Sequence, residues 1–335
     1  MKSHTFSQSR GHLAEFDELD QQLLQALQLN GRAPFSRISE VLGVSDQTIA
    51  RRYTRLRSSG ALRVLGMTDP AVLGEVAWFV RVQCAPDVAA PVAEALARRD
   101  DTTWVSLTSG GTEIACVTRA SVDEGSNALL LQKLPHTPRV QGVSAHCILH
   151  TFFGGARSLI EKLDLLSSEQ VAALRVPRPP SGEIDPGPLT EADHGMLAVL
   201  AKDGRAGFAE LAQASGTSQS TVRRRLGELL DSGVLYLDIE FDRRILELAT
   251  RAMLWLSVAP ADLVAAGEAM AEHVEVAFCA AISGQANLAA SVVCSGVTAL
   301  YEYLTEKVAT LPGVQGVETA PVLRTVKSIS SGLTP

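Results

Sequence analysis

No uninterrupted apolar run in this 335-residue chain approaches the roughly 18 residues that would cross a bilayer. Its first twelve residues are polar and lack the apolar centre of a secretory signal. Neither a membrane partner nor export is expected. Cysteine is sparse: Cys84, Cys116, Cys147, Cys279 and Cys294 are scattered, odd in number and never spaced C-x-x-C. That excludes a disulfide framework and points to a reducing, cytoplasmic compartment, with the thiols acting as small buried hydrophobes. Aromatic residues make up only 5% of the chain, so Trp78, Trp104 and Trp255 are read as core or interface rather than as a ligand cage. Ser-His-Asp sets, phosphate-binding loops and zinc spacings are all missing. His146 and His150 flank Cys147 on one predicted strand, but a third ligand is lacking, so neither metal nor cofactor is expected. Positive charge is not in excess either, since the net charge is −7. A nucleic-acid partner would therefore require a local basic surface.

What the chain does have is internal repetition. Residues 19–62 and 192–235 align without gaps, and the paired features include Gly31-Arg32-Ala33 with Gly204-Arg205-Ala206, Phe35 with Phe208, Gly43 with Gly216, and Arg51-Arg52 with Arg224-Arg225. A weaker match continues through Ala85-Pro86 and Ala259-Pro260, Gly110 and Gly284, and Val140–Val143 and Val314–Val317. A domain-sized repeat of this kind is a duplicated two-domain module. Between the copies, a candidate helix over 156–174 leads into a segment rich in Pro, Gly and Ser, which reads as an extended linker. The expected domains are a tail (1–12), helix-turn-helix unit 1 (13–68), α/β domain 1 (69–154), helix and linker (155–188), helix-turn-helix unit 2 (189–243) and α/β domain 2 (244–329).

Each copy opens with an amphipathic helix, then a short helix, a glycine turn and a third helix capped by serine. The predicted helices are 17–29, 36–42 and 46–58 in the first copy, and 190–202 begins the same series in the second. Glycine supplies the positive φ of the turn, and the serine oxygen caps the next helix. This is the helix-turn-helix pattern, whose last helix enters the major groove of double-stranded DNA. Ser45, Gln47, Thr48, Arg51, Arg52 and Arg55 are its candidate contacts in the first unit. Ser218, Gln219, Ser220, Arg223, Arg224 and Arg225 are the candidates in the second. Glutamine matches the adenine edge and arginine the guanine edge or a phosphate. Between Ser45 and Arg63 five arginines face one aspartate, whereas in the second unit three arginines face Glu228 and Asp231. The first unit should therefore carry more of the phosphate attraction.

Short strands over 62–67 and 235–241 suit a small wing. Strands and helices then follow in the order βαββαβ in each copy. The expected segments are 76–84, 87–98, 103–109, 112–118, 123–134 and 140–152 in the first copy. In the second they are 252–258, 261–272, 275–282, 287–294, 297–310 and 314–327. The fold class expected is α+β: two winged helix-turn-helix domains, each followed by a ferredoxin-like domain whose open sheet face needs covering by the other copy.

The two opening units resemble those of the leucine-responsive/asparagine-operon (Lrp/AsnC) regulators. The strand-Gly-strand turn and the late Gly-Val resemble that family's sensing domain. The resemblance implies transcription regulation by sequence-specific DNA binding, homo-oligomer assembly through the α/β domains, and modulation by an amino acid or other small effector. It places that effector near Gly110 and Glu113, and near Gly284 and Asn287. The family has Gly followed three residues later by Asp; this chain has Glu113 and Asn287 there, so the two sites should differ, and Glu113 offers a charge for an ammonium group. One rival expectation is a fused enzyme like the siroheme decarboxylases, which resemble the same family and carry a His-Asn-Tyr-x-Arg-type segment. The corresponding stretches here, Val105–Ser109 and Phe278–Ile282, contain no His, Tyr or Arg, so no enzyme activity is expected. The other rival is an effector-binding scaffold with weakened DNA binding.

Overall fold

The structure, a computed structural model, describes residues 16–121, 134, 136–176 and 187–328. The polar tail, nearly all of the expected helix over 123–134 and most of the Pro-rich linker lie outside the described residues.

The first helix-turn-helix unit consists of α1 (Glu18–Leu29), α2 (Phe35–Leu42) and α3 (Asp46–Ser58). Leu23, Leu24, Leu27, Ile38, Ile49 and Leu56 supply its core. Helix α1 begins in a capping box between Asp17 and Asp20, which satisfies two of the backbone donors that a helix start leaves free. Gly43, at φ +67°, ends α2, and the Ser45 hydroxyl accepts a hydrogen bond from the Thr48 N–H to start α3. The second unit repeats the plan with α6 (Glu191–Leu200), α7 (Phe208–Ser215) and α8 (Gln219–Asp231). Gly216 makes its turn at φ +65°, and Ser218 caps α8. Between the units, the expected helix over 156–174 is broken into a 3-10 turn (Leu159–Lys162) and α5 (Ser168–Leu174).

The wing strands do not form separate hairpins. Instead β1 (Leu62–Thr68) pairs antiparallel with β6 (Leu235–Phe241), from Leu62↔Phe241 to Thr68↔Leu235. One two-stranded ribbon thus serves both helical units, and Leu237 and Ile239 of β6 enter the core of the first. Each strand satisfies one edge of the other.

In the α/β part, β2 (Glu75–Cys84), β3 (Thr102–Thr108), β4 (Glu113–Ser121) and β5 (Val140–Phe153) form one half. The other half is β7 (Thr250–Val258), β8 (Val276–Ile282), β9 (Leu288–Cys294) and β10 (Val314–Thr325). The halves have equivalent internal orders, β3-β4-β2-β5 and β8-β9-β7-β10. The sheets do more than cover one another. Strand β5 joins β8 and β10 joins β3, closing one eight-stranded barrel with no free edge.

The alternation of the strands explains the closure. Ala252, Leu254 and Leu256 of β7 face Ala266 and Met270 of α9 (Leu263–Glu272) outside the barrel. Met253 and Trp255 face inward, where they meet Phe79, Ala115, Ile282, Ala289 and Ala320. Helix α4 (Pro86–Ala97) covers the other half through Ala89, Ala93 and Leu96. The expected helix over 297–310 is present but uneven: α10 (Val297–Glu302) passes through a π turn (Tyr303–Lys307) into a 3-10 turn (Val308–Thr310).

Candidate DNA interface and ligand pocket

On α3, Ser45, Gln47, Arg51 and Arg55 are exposed and Thr48 is partly so. The inner face is anchored by Ile49, Tyr53 and Leu56. Arg51 has no ion pair among the described residues. Arg52 behaves differently from the sequence expectation. It bonds Asp17 at 2.6 Å and Asp20 at 2.9 Å, and Asp20, only 1% exposed, also takes Arg55 at 2.5 Å. Burial would raise the Asp17 carboxyl above its ordinary value, but Arg52 and the Asp20 N–H outweigh this and hold it lower. Arg52 therefore ties the recognition helix to α1.

The second unit carries the same tie. Arg225 grips Asp193 with Nε at 2.9 Å and Nη2 at 3.0 Å. Among the differences of α8 from α3, Glu228 stands where the first unit has Arg55, and it bonds both Arg224 and Arg225. Arg224 is thus partly neutralised. Arg223 is exposed and lies 4.6 Å over the Phe208 ring, beside the exposed Ser218, Gln219 and Ser220.

The repeated Gly-Arg-Ala motif has a role that periodicity does not reveal. Arg32 reaches the carbonyls of Gly204 and Ala206 at 2.7 and 2.9 Å, and Arg205 reaches those of Gly31 and Ala33 at 2.6 and 2.9 Å. Each guanidinium also lies over the opposite phenyl ring: Arg32 over Phe208 at 5.3 Å and Arg205 over Phe35 at 4.7 Å. Burial, and for Arg32 the neighbouring Arg205, lowers both guanidinium groups below their ordinary value. A Cβ on Gly31 would come within 3.0 Å of Val64 and Leu237, so glycine lets this turn approach the shared ribbon. Arg57 adds a bond to Asp203 at 2.6 Å. These contacts fix one recognition helix relative to the other. A signal was present in the sequence, because arginine recurs at one position between two fixed small residues, but the partner was not legible.

In the barrel, Gly110 turns at φ +71° and Glu113 is buried at the start of β4. Both Glu113 oxygens are occupied. Oε1 accepts from Arg81 Nε at 2.6 Å, and Oε2 accepts from the hydroxyls of Thr108 at 3.1 Å and Ser109 at 3.0 Å. The expectation that Glu113 meets an ammonium group is therefore corrected: a cation from within the chain already holds it. Arg81 extends its other two nitrogens to Glu318 at 3.0 and 2.5 Å and lies 4.6 Å over the Trp255 ring. A cavity of about 260 Å³ opens here, lined by Arg81, Gln83, Ser109, Thr112, Gln141 and Glu318 among others. The counterpart in the second half is closed. Asn287 bonds both the N–H and the carbonyl of Val258 at 2.9 Å, and His146 lies against Gly284, where a Cβ would sit 2.6 Å from Nδ1.

Among the described residues no cluster of His, Cys, Asp or Glu is placed to hold a metal. No helix among them is long and apolar enough to cross a membrane.

Two capped helix-turn-helix units are set on one α/β barrel, and the family matches place such units in a DNA-binding class. The AsnC-type helix-turn-helix domain matches residues 16–57 and 189–230, and the Lrp/AsnC ligand binding domain matches 251–331. An uncharacterized HTH-type transcriptional regulator of Pyrococcus furiosus is 30% identical over 100 residues, which is 29% of this chain and 68% of that protein. The HTH-type transcriptional regulator FL11 of Pyrococcus abyssi is 28% identical over 137 residues, 40% of this chain and 90% of FL11. The chain belongs to the Lrp/AsnC family. The siroheme decarboxylase NirDL is similar in structure over 95% of each chain with a TM-score of 0.62, and at 14% identity the likeness is one of fold.

Proposed function

We propose that this chain is a sequence-specific DNA-binding transcriptional regulator in which two Lrp/AsnC modules are fused, acting in the cytoplasm on double-stranded DNA. Its α/β domains pair within the chain and bring further copies together as a homo-oligomer, and a small effector bound there modulates DNA affinity. The observation that carries this reading is the pair of exposed, serine-capped recognition helices held in one arrangement by Arg32 and Arg205. Gln47, Thr48, Arg51 and Arg55 in the first unit, and Gln219, Ser220, Arg223 and Arg224 in the second, meet DNA. Ser45 and Ser218 present the helix starts, where N–H groups and helix dipole favour a phosphate.

No catalytic step is assigned. Strand β3 and the turn after it present Val105, Ser106, Leu107, Thr108 and Ser109, and β8 presents Phe278, Cys279, Ala280, Ala281 and Ile282; none of these is a strong proton donor or a cation for a carboxylate. The test is a binding assay against DNA from upstream of the chain's own coding region, comparing the wild type with Arg51→Ala. The variant should bind more weakly and lose about one unit of salt slope if Arg51 meets a phosphate. Unchanged affinity and slope would remove Arg51 from the interface. A tetrapyrrole that binds the chain and is decarboxylated would replace the regulatory reading with the enzymatic one.

A further inference from the structure

The barrel pocket contains one feature that selects a ligand by charge. Arg81 comes from the first half, but the carboxylate that occupies its outer fork, Glu318, comes from β10 of the second. Both Glu318 oxygens are engaged, one on each Nη, in the parallel arrangement that any carboxylate adopts on arginine. Glu113 holds the inner side of the same guanidinium and is buried, whereas the Glu318 side chain is 55% exposed. One carboxylate is buried, and the other is reached by solvent.

The second half has no equivalent. Trp255 stands in the register of Arg81, Asn287 in that of Glu113 and Ser144 in that of Glu318, and Asn287 is committed to Val258. The charged triad exists once per chain.

We propose that this pocket binds the carboxylate of a small organic acid, one molecule per chain, and that Glu318 holds its place until the ligand displaces it. The proposal rests on reading the α/β domains as ligand-binding, and it specifies which group of the ligand is recognised. Exchange of Glu318 for a ligand carboxylate leaves the charge around Arg81 unchanged. A phosphate dianion would add a further negative charge to a guanidinium that Glu113 already bonds on its inner side, and an ammonium group placed where the Glu318 carboxylate lies would face Arg81 itself. Gln83, Gln141, Ser109 and Thr112 line the rest of the cavity with neutral donors and acceptors. About 260 Å³ accommodates a metabolite of modest size.

Calorimetric titration of the full chain would use three matched sets: L-amino acids, the corresponding 2-oxo acids without the ammonium group, and the corresponding amines without the carboxylate, with inorganic phosphate alongside. Members of the first two sets should bind at one site per chain and the amines should not. Glu318→Gln, which removes the competing charge, should tighten binding by up to about fivefold, the range of an exposed ion pair. Arg81→Lys, which keeps the charge but loses the fork, should weaken it at least about tenfold. Binding of amines or phosphate in preference to the acids, two sites per chain, weaker binding by Glu318→Gln, or no heat from any set would overturn the proposal. DNA affinity measured on the same samples separates the two claims. Carboxylate binding that leaves DNA affinity unchanged preserves this site and removes its regulatory role.

Discussion

Asp193 and Asp238 lie in the same helix-turn-helix unit and its ribbon, yet they titrate in opposite directions. At Asp193 burial favours the neutral acid, but hydrogen bonds from Arg225 and Thr190 outweigh it and hold the carboxyl at about 2. Its folded value lies below the unfolded one, so its stabilisation is present above about pH 4 and is lost as pH falls towards 2, with a size on the order of 2 kcal/mol. Asp238 is pushed up to about 7 by burial, against the opposing effects of the Ile239 N–H and Gln28, with Glu161 and Glu240 nearby raising it further. Its contribution is present below the unfolded value near 4 and is lost as pH rises through about 7. Denaturant titrations of the wild type and Asp238→Asn should therefore converge at acidic pH and separate towards pH 8, where the variant is the more stable. A wild type whose stability rises through that window in parallel with the variant would contradict this assignment. Asp20 makes a related prediction. Asp20→Ala removes the buried carboxylate that Arg52 and Arg55 share and should cost roughly 1–3 kcal/mol, with a lowered melting temperature as the readout.

At the scale of elements, glycine, serine and arginine divide the labour. The turns at Gly43 and Gly216, the caps at Ser45 and Ser218 and the extent of the first recognition helix were legible, because each depends on one residue's own conformational preference. Most barrel strands were legible too, from their alternation. What could not be read was every pairing between distant segments: that β1 and β6 share one ribbon, that β5 and β8 join, and that Arg52 and Arg225 turn towards aspartates on α1 and α6. An exposed arginine and one satisfied by a carboxylate far along the chain look the same in sequence. The pocket was half legible. Its loops at Gly110 and Gly284 were identified, but Arg81 and Glu318, which decide its charge, lie outside both. At Gly284, φ is +118° and the His146 ring fills the space a side chain would need. Gly284→Ala should destabilise the chain by about 1–3 kcal/mol, whereas Gly110 has open space around its Cα position and the strain there comes from φ alone. Equal losses of stability at the two glycines would show that the closure by His146 is unimportant.

At the scale of the whole molecule, the two halves close one barrel within a single chain but are not identical. The first recognition helix keeps Arg51 and Arg55, whereas the second replaces the latter with Glu228. The DNA site should accordingly be asymmetric, with the half contacted by α3 contributing more of the salt-dependent affinity. The Arg32 and Arg205 contacts make the two helices act together. Removing both with Arg32→Ala and Arg205→Ala should lower affinity for the full site by about tenfold, through lost preorganisation, while leaving binding to an isolated half-site nearly unchanged.

The most direct test of the regulator reading is binding of the purified full chain to its own upstream DNA across a salt series, with unrelated competitor DNA present. The account predicts a specific complex that survives competitor, weakens steeply as salt rises, and is impaired more by Arg51→Ala than by Arg224→Ala. Binding that competitor abolishes, or equal indifference to both substitutions, would contradict it.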